Sequence, residues 1–189
     1  IWSFQGLWTA LWLRDVEGLS TQTVVLTLSI MAVCTIAGNF SAGLLSDLLA
    51  RWRVPAERVM MGGCVVLQLV EVCLLVGGLA PAWLLWGLFA FLTGFATLAY
   101  AIVPRGFPAD LTGRALTTLN IVSLLLAFVI QSAIGVVVEQ WDAVSSGSFP
   151  AAAYRWALLA VLAAQLAALL VFLRKPPVRQ PAPRSASVD

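Results

Sequence analysis

The feature that most constrains this chain is a run of apolar residues long enough to leave water altogether, met again and again along its length. A helix crosses the roughly 30 Å hydrocarbon core of a bilayer with about 20 such residues, at 1.5 Å of rise each. Six apolar segments occupy approximately 1–13, 22–46, 57–79, 82–104, 114–138 and 152–173. Short connections separate them and carry the helix breakers: "RDVEGLST", "RWRVPAER", Pro81, "PRGFPADLTG" and "EQWDAVSSGSFP". Only 11% of the 189 residues are charged, where a soluble domain carries about 25%. The expected fold is therefore an all-α polytopic membrane protein with six transmembrane helices.

The two ends of the chain read differently from its middle. "IWSFQGLWTALWL" gives 13 uncharged residues before Arg14, about 20 Å of helix, which is too short to span. It opens on Ile and lacks the charged flank of a signal peptide. The sequence thus reads as starting partway along a helix, with something upstream cut away. At the other end, "RKPPVRQPAPRSASVD" is proline-rich and polar. The expected organisation is one six-helix transmembrane unit over 1–175 and a disordered cytoplasmic tail over 176–189.

The residue inventory removes several chemistries. There is no histidine, which excludes Ser-His and Cys-His nucleophile pairs and His-ligated zinc or haem. Cys34, Cys64 and Cys73 lie inside apolar runs without Cys-x-x-Cys spacing and read as small packing residues. No metal site and no cofactor are expected. A net charge of +2 without a basic, aromatic-interleaved stripe gives no reason to expect nucleic acid.

Orientation follows from where the basic residues fall. With six spans, Arg51, Arg53, Arg58, Arg105, Arg114, Arg174, Lys175, Arg179 and Arg184 lie on one side, and Arg14 and Arg155 on the other. The positive-inside rule then puts the loops after the second and fourth spans, and the C-terminus, in the cytoplasm.

Helical spacing shows where the polar residues gather. Residues at i, i+3, i+4, i+7 and i+11 share a face. In the fifth span that face reads Thr117, Asn120, Leu124, Ala127, Gln131 and Gly135, and the other faces are mostly Leu, Ile, Val and Phe. Two amides in one stripe need a partner or a wet cavity, because hydrocarbon offers neither donor nor acceptor. The fourth span stripes Trp86, Ala90, Thr93, Thr97, Tyr100 and Pro104. The second stripes Thr27, Met31, Thr35, Gly38 and Ala42, with Asn39 adjacent, and the first offers Gln5 and Thr9 beside Gly6. The third gives Cys64, Gln68, Glu71, Leu75 and Gly78; the sixth gives Ala153, Ala157, Ala160, Ala164 and Ala168, with Gln165 its one uncharged polar residue deep in the span. Small-residue and Thr stripes equally serve close helix packing. Glu71 is the one carboxylate deep in any span. An intramembrane charge is a functional candidate, here for proton coupling, with structural pairing as the plainer reading.

The cytoplasmic loop "GNFSAGLLSDLLARWRVPAERV" resembles the loop signature of the major facilitator superfamily, Gly-x-x-x-Asp-(Arg/Lys)-x-Gly-(Arg/Lys)-(Arg/Lys). Gly43, Asp47 and Arg51 match, while Leu48 and Ala50 depart from it. "QGLWTALWLRDVEGL", "FPADLTGRALTTLN" and the Gln131, Ile134, Gly135 cluster follow at hairpin spacing. Together they resemble the C-terminal six helices of bacterial drug-, sugar-phosphate- or nitrate-type facilitators. The resemblance covers about 1–175. It implies half of a 12-helix bundle in a bacterial inner membrane, with the missing N-terminal six-helix half as partner alongside membrane lipids. It implies that the first, second, fourth and fifth visible spans line a cavity and that Asp47 helps hold one side closed, near a helix end of the other half. Arg114 reads as an interfacial anchor or as a gate residue facing that half, and Asp110 as a helix cap.

The function expected from these readings is secondary transport of a small polar or anionic solute by alternating access. The candidate path residues are Gln5, Thr9, Thr93, Thr97, Asn120 and Gln131. The alternatives are a non-transporting membrane subunit and an intramembrane enzyme; the second is disfavoured by the missing histidines and the lack of paired deep carboxylates.

Overall fold

The computed structural model describes residues 8–142 and 149–174, all helical apart from turns. Six helices follow one another: α1 Thr9–Asp15, α2 Thr21–Ala50, α3 Ala56–Val76, α4 Ala82–Gly106, α5 Ala109–Val138 and α6 Ala151–Arg174. Helices α2 to α6 are each long and apolar enough to cross a membrane. The protein is thus a helical membrane protein with five such spans among the described residues. The start of the expected first span, Gln5 within it, and the expected tail at 176–189 lie outside them.

Local chemistry ends each helix. Ser20 caps α2, its Oγ accepting from the Thr23 N–H at 3.3 Å, as its hydroxyl and position lead one to expect. Arg53 closes the turn after α2 with a φ of 59°, and its N–H donates to the Ala50 carbonyl at 3.0 Å. Pro55, Pro81 and Pro108 stand just before α3, α4 and α5, where a residue without an N–H costs nothing. Asp110 does not cap α5 as expected. It lies within a tight turn, Ala109–Leu111, that opens the helix without a side-chain cap; the proline ahead of it has already set the entry geometry.

The bundle is organised about the crossing of α2 and α4, which run in the same direction. Ile30 and Cys34 face Gly87, and further along Gly38 meets Gly94. A Cβ at Gly38 would overlap the Phe91 carbonyl, and one at Gly94 would overlap the backbone of Gly38 and Asn39. Only glycine permits backbones to approach so closely. Gly63 of α3 makes the same concession to the Phe95 ring. A second centre is aromatic: Trp12 and Trp86 meet edge to face at 6.1 Å, and Trp86 and Phe89 at 5.4 Å. Tyr154 of α6 is fully buried with its ring 6.4 Å from that of Trp8, and its hydroxyl donates to Asp15 Oδ2 at 2.6 Å. Asp15 also pairs with Arg14 at 2.6 Å, so the end of α1 is tied to the start of α6.

Two helices depart from the expected packing. The α6 alanine strip is not the buried face beyond its first turns. Ala153 and Ala157 are buried, but the face continues through Leu158, Val161 and Leu162, leaving Ala160, Ala164 and Ala168 exposed. Helix α4 is not a continuous α-helix. It tightens into a 3₁₀ segment over Gly94–Leu98, and again over Val103–Gly106 around Pro104. The Thr93 and Thr97 hydroxyls each bond the carbonyl three residues back, Ala90 and Gly94, at 2.6 Å. Such bonds, the backbone contact at Gly94 and the missing N–H of Pro104 all favour a narrower helix.

Candidate functional site

The sequence-derived candidates divide by burial. Thr9 and Thr93 are fully enclosed within the bundle. Thr97 and Gln131 are half-buried and Asn120 is exposed. Gln5 lies outside the described residues. Of the loop motif, Gly43 is half-buried while Asp47 and Arg51 are exposed near the end of α2. No ion pair joins Asp47 or Arg51 to a neighbour among the described residues.

Three helices bring their polar side chains together. The Thr97 hydroxyl of α4 lies 3.1 Å from Asn39 Oδ1 of α2. Thr97 has one hydrogen, and the 2.6 Å contact to the Gly94 carbonyl is the shorter. With the Asn39 amide turned over, its NH2 donates to the Thr97 oxygen and both contacts are met at once. One turn further along α4, the Tyr100 hydroxyl donates to Asn120 Oδ1 of α5 at 3.3 Å. Asn39, Thr97, Tyr100 and Asn120 thus form a polar ribbon across α2, α4 and α5, and none of the four is buried. The Asn120 NH2 has no partner among the described residues, and neither has the Gln131 amide 11 residues along α5.

The spacing explains why these groups share a surface. At 100° per residue, Asn120, Ala127, Gln131, Ile134 and Val138 fall within about 60° of one another around α5. Ile134 and Val138 are buried and Ala127 and Gln131 half-buried, whereas the flanking Leu124, Leu125, Phe128 and Val129 are exposed. From Ala127 onward the stripe is therefore the side of α5 turned toward the rest of the bundle, while its start at Thr117 and Asn120 is exposed. Sequence reasoning put Tyr100 in its fourth-span stripe and Asn39 beside the second-span stripe, without choosing either as a path residue. The available signal was a polar residue three positions after Thr97, and one next to the glycine of a small-residue pair.

Glu71 is part of a separate arrangement. It is 1% exposed on α3, and its Oε1 accepts from Gln165 Nε2 of α6 at 2.7 Å. Its Oε2 is buried with no partner among the described residues. The structure thus pairs Glu71 across to α6, away from the ribbon on α2, α4 and α5.

Chemically, the ribbon offers hydroxyls and amide donors and no charge. It can hold a polar group or an anion by hydrogen bonds, and it has no base, acid or nucleophile pair for covalent work. Among the described residues no group of three Cys, Asp or Glu side chains is placed to hold a metal. No protein-family model, no characterised protein and no solved structure matches this chain.

Proposed function

We propose that this chain is a six-helix half of a secondary transporter of the major facilitator type, moving a small polar or anionic solute by alternating access. The observation that carries the reading is the ribbon. Four uncharged polar side chains from three membrane-length helices meet in pairs, yet remain open on one side. A lipid-facing surface would leave those groups unsatisfied in hydrocarbon, and a purely structural contact would bury them. A wet path between this half and a second six-helix half satisfies them. The interrupted α4 supports the same reading, because broken helices gather at transporter binding sites.

In this reading Asn39, Thr97, Tyr100, Asn120 and Gln131 contact solute from this half. Thr9 and Thr93 stiffen the wall behind them. Glu71 joins α3 to α6 outside the path. The loop residues Gly43, Asp47 and Arg51 lie at the cytoplasmic mouth, in a bacterial inner membrane.

The test is counterflow by full-length protein reconstituted in liposomes. Asn120→Leu with Gln131→Leu is expected to abolish solute exchange while membrane insertion and yield stay normal. Unchanged exchange kinetics in that double variant removes both residues from the path. No exchange by the wild type across anionic and neutral polar solutes favours a non-transporting subunit, and release of a cleaved product favours an enzyme.

A further inference from the structure

The side of α5 opposite the polar stripe carries a second feature. A groove of about 410 Å³ runs between the end of α4 and the start of α5, walled by Val103, Phe107, Leu111, Leu119 and Val122. Its one charged lining residue is Arg114. Arg114 is exposed and makes no ion pair among the described residues. Around α5 the groove residues Leu111 and Val122 lie roughly opposite Asn120 and Gln131, with Leu119 about 100° from Asn120. The groove therefore opens away from the ribbon.

The construction is repeated nearby. A groove of about 330 Å³ between α2, α3 and α4 is walled by Leu49, Val59, Val66, Leu92 and Phe95, and its one charged lining residue is Arg58. Arg58 is also exposed and makes no ion pair among the described residues. Arg58 and Arg114 open α3 and α5 at the same end of the bundle, where Arg51, Arg53, Arg105 and Arg174 also lie. Each groove is thus an apolar channel beside membrane-length helices, with one cation in its lining that makes no ion pair among the described residues.

We infer that the α4–α5 groove is a site for an anionic phospholipid, with its phosphate at the Arg114 guanidinium and an acyl chain along Val103, Phe107, Leu119 and Val122. A zwitterionic lipid fills the same walls, but it brings its own cation to the headgroup and gains less at an arginine. The choice of an anionic lipid rests on that charge complementarity, and basic sites between spans on the arginine-rich side are where such headgroups are held. This inference stands apart from solute transport, which can fail while the lipid preference persists.

The experiment places the full-length protein in phosphatidylcholine nanodiscs doped with a photoactivatable phosphatidylglycerol or, in parallel, a photoactivatable phosphatidylcholine. Crosslinks are mapped by mass spectrometry. The phosphatidylglycerol probe is expected to label the 103–122 segment about fivefold more than the phosphatidylcholine probe. Arg114→Gln is expected to bring the two probes to parity, while Arg114→Lys and Arg58→Gln keep the preference. Equal labelling of the wild type by both probes overturns the site, as does a preference that survives Arg114→Gln. Loss of the preference in Arg58→Gln also overturns it, since the effect would then be diffuse surface charge. Retention in Arg114→Lys separates lost binding from lost folding.

Discussion

Gln165 holds the one hydrogen bond that Glu71 makes among the described residues, at 2.7 Å, in a part of the bundle where the carboxyl is shut away from solvent. A buried polar group that loses its partner costs more than the bond was worth, because nothing replaces it. Gln165→Leu is therefore expected to lower stability by about 1–3 kcal/mol, read as a drop in the thermal midpoint of the detergent-solubilised protein. The double variant Glu71→Leu with Gln165→Leu is expected to recover part of that loss, since neither group is then left orphaned. A single variant as stable as the wild type would show that the pair contributes nothing. Both residues stood out in the sequence, as the lone carboxylate and the lone deep amide of their spans. Their pairing was not legible there, because spacing along one helix gives the face of a residue and not the neighbour across from it.

Helix α4 shows how far element boundaries can be read and where reading stops. The expected span over 82–104 matches Ala82–Gly106 closely, since Pro81 and the "PRGFP" turn mark both ends in the sequence. The 3₁₀ segment over Gly94–Leu98 left no such mark. It arises where Gly94 rests on the backbone of α2, a tertiary fact that local pattern does not encode. Gly38→Ala and Gly94→Ala are each expected to destabilise the protein by about 1–3 kcal/mol, the cost of overfilling a packed contact. Gly43→Ala, where a Cβ meets nothing within 4 Å, is expected to be neutral or to stabilise α2 by up to about 1 kcal/mol through better helix propensity. Thermal unfolding of the three variants side by side checks the contrast. Equal effects would mean that the α2–α4 crossing is not held by backbone contact.

At the scale of the molecule, the order of the spans was legible and their lateral arrangement was not. In water an apolar stripe marks the core, but in a bilayer both the lipid side and the packed side are apolar. The α6 alanines illustrate this: the smooth strip chosen from spacing is largely exposed, while Leu158, Val161 and Leu162 are buried. The charge asymmetry remains the guide to orientation. In a full-length variant with Cys34, Cys64 and Cys73 replaced by Ala, Leu79→Cys is expected to react with a membrane-impermeant maleimide in intact cells. Trp52→Cys is expected to react only after permeabilisation. Labelling of Trp52→Cys in intact cells would reverse the orientation. The α2–α4 crossing has one more consequence. Where two backbones touch there is no side chain left to rearrange, so that seam is stiff, whereas α5 before Ile134 is mostly exposed and leans on the unit chiefly near its two ends. A load applied to this bundle would bend its α5 flank long before it parted its glycine spine.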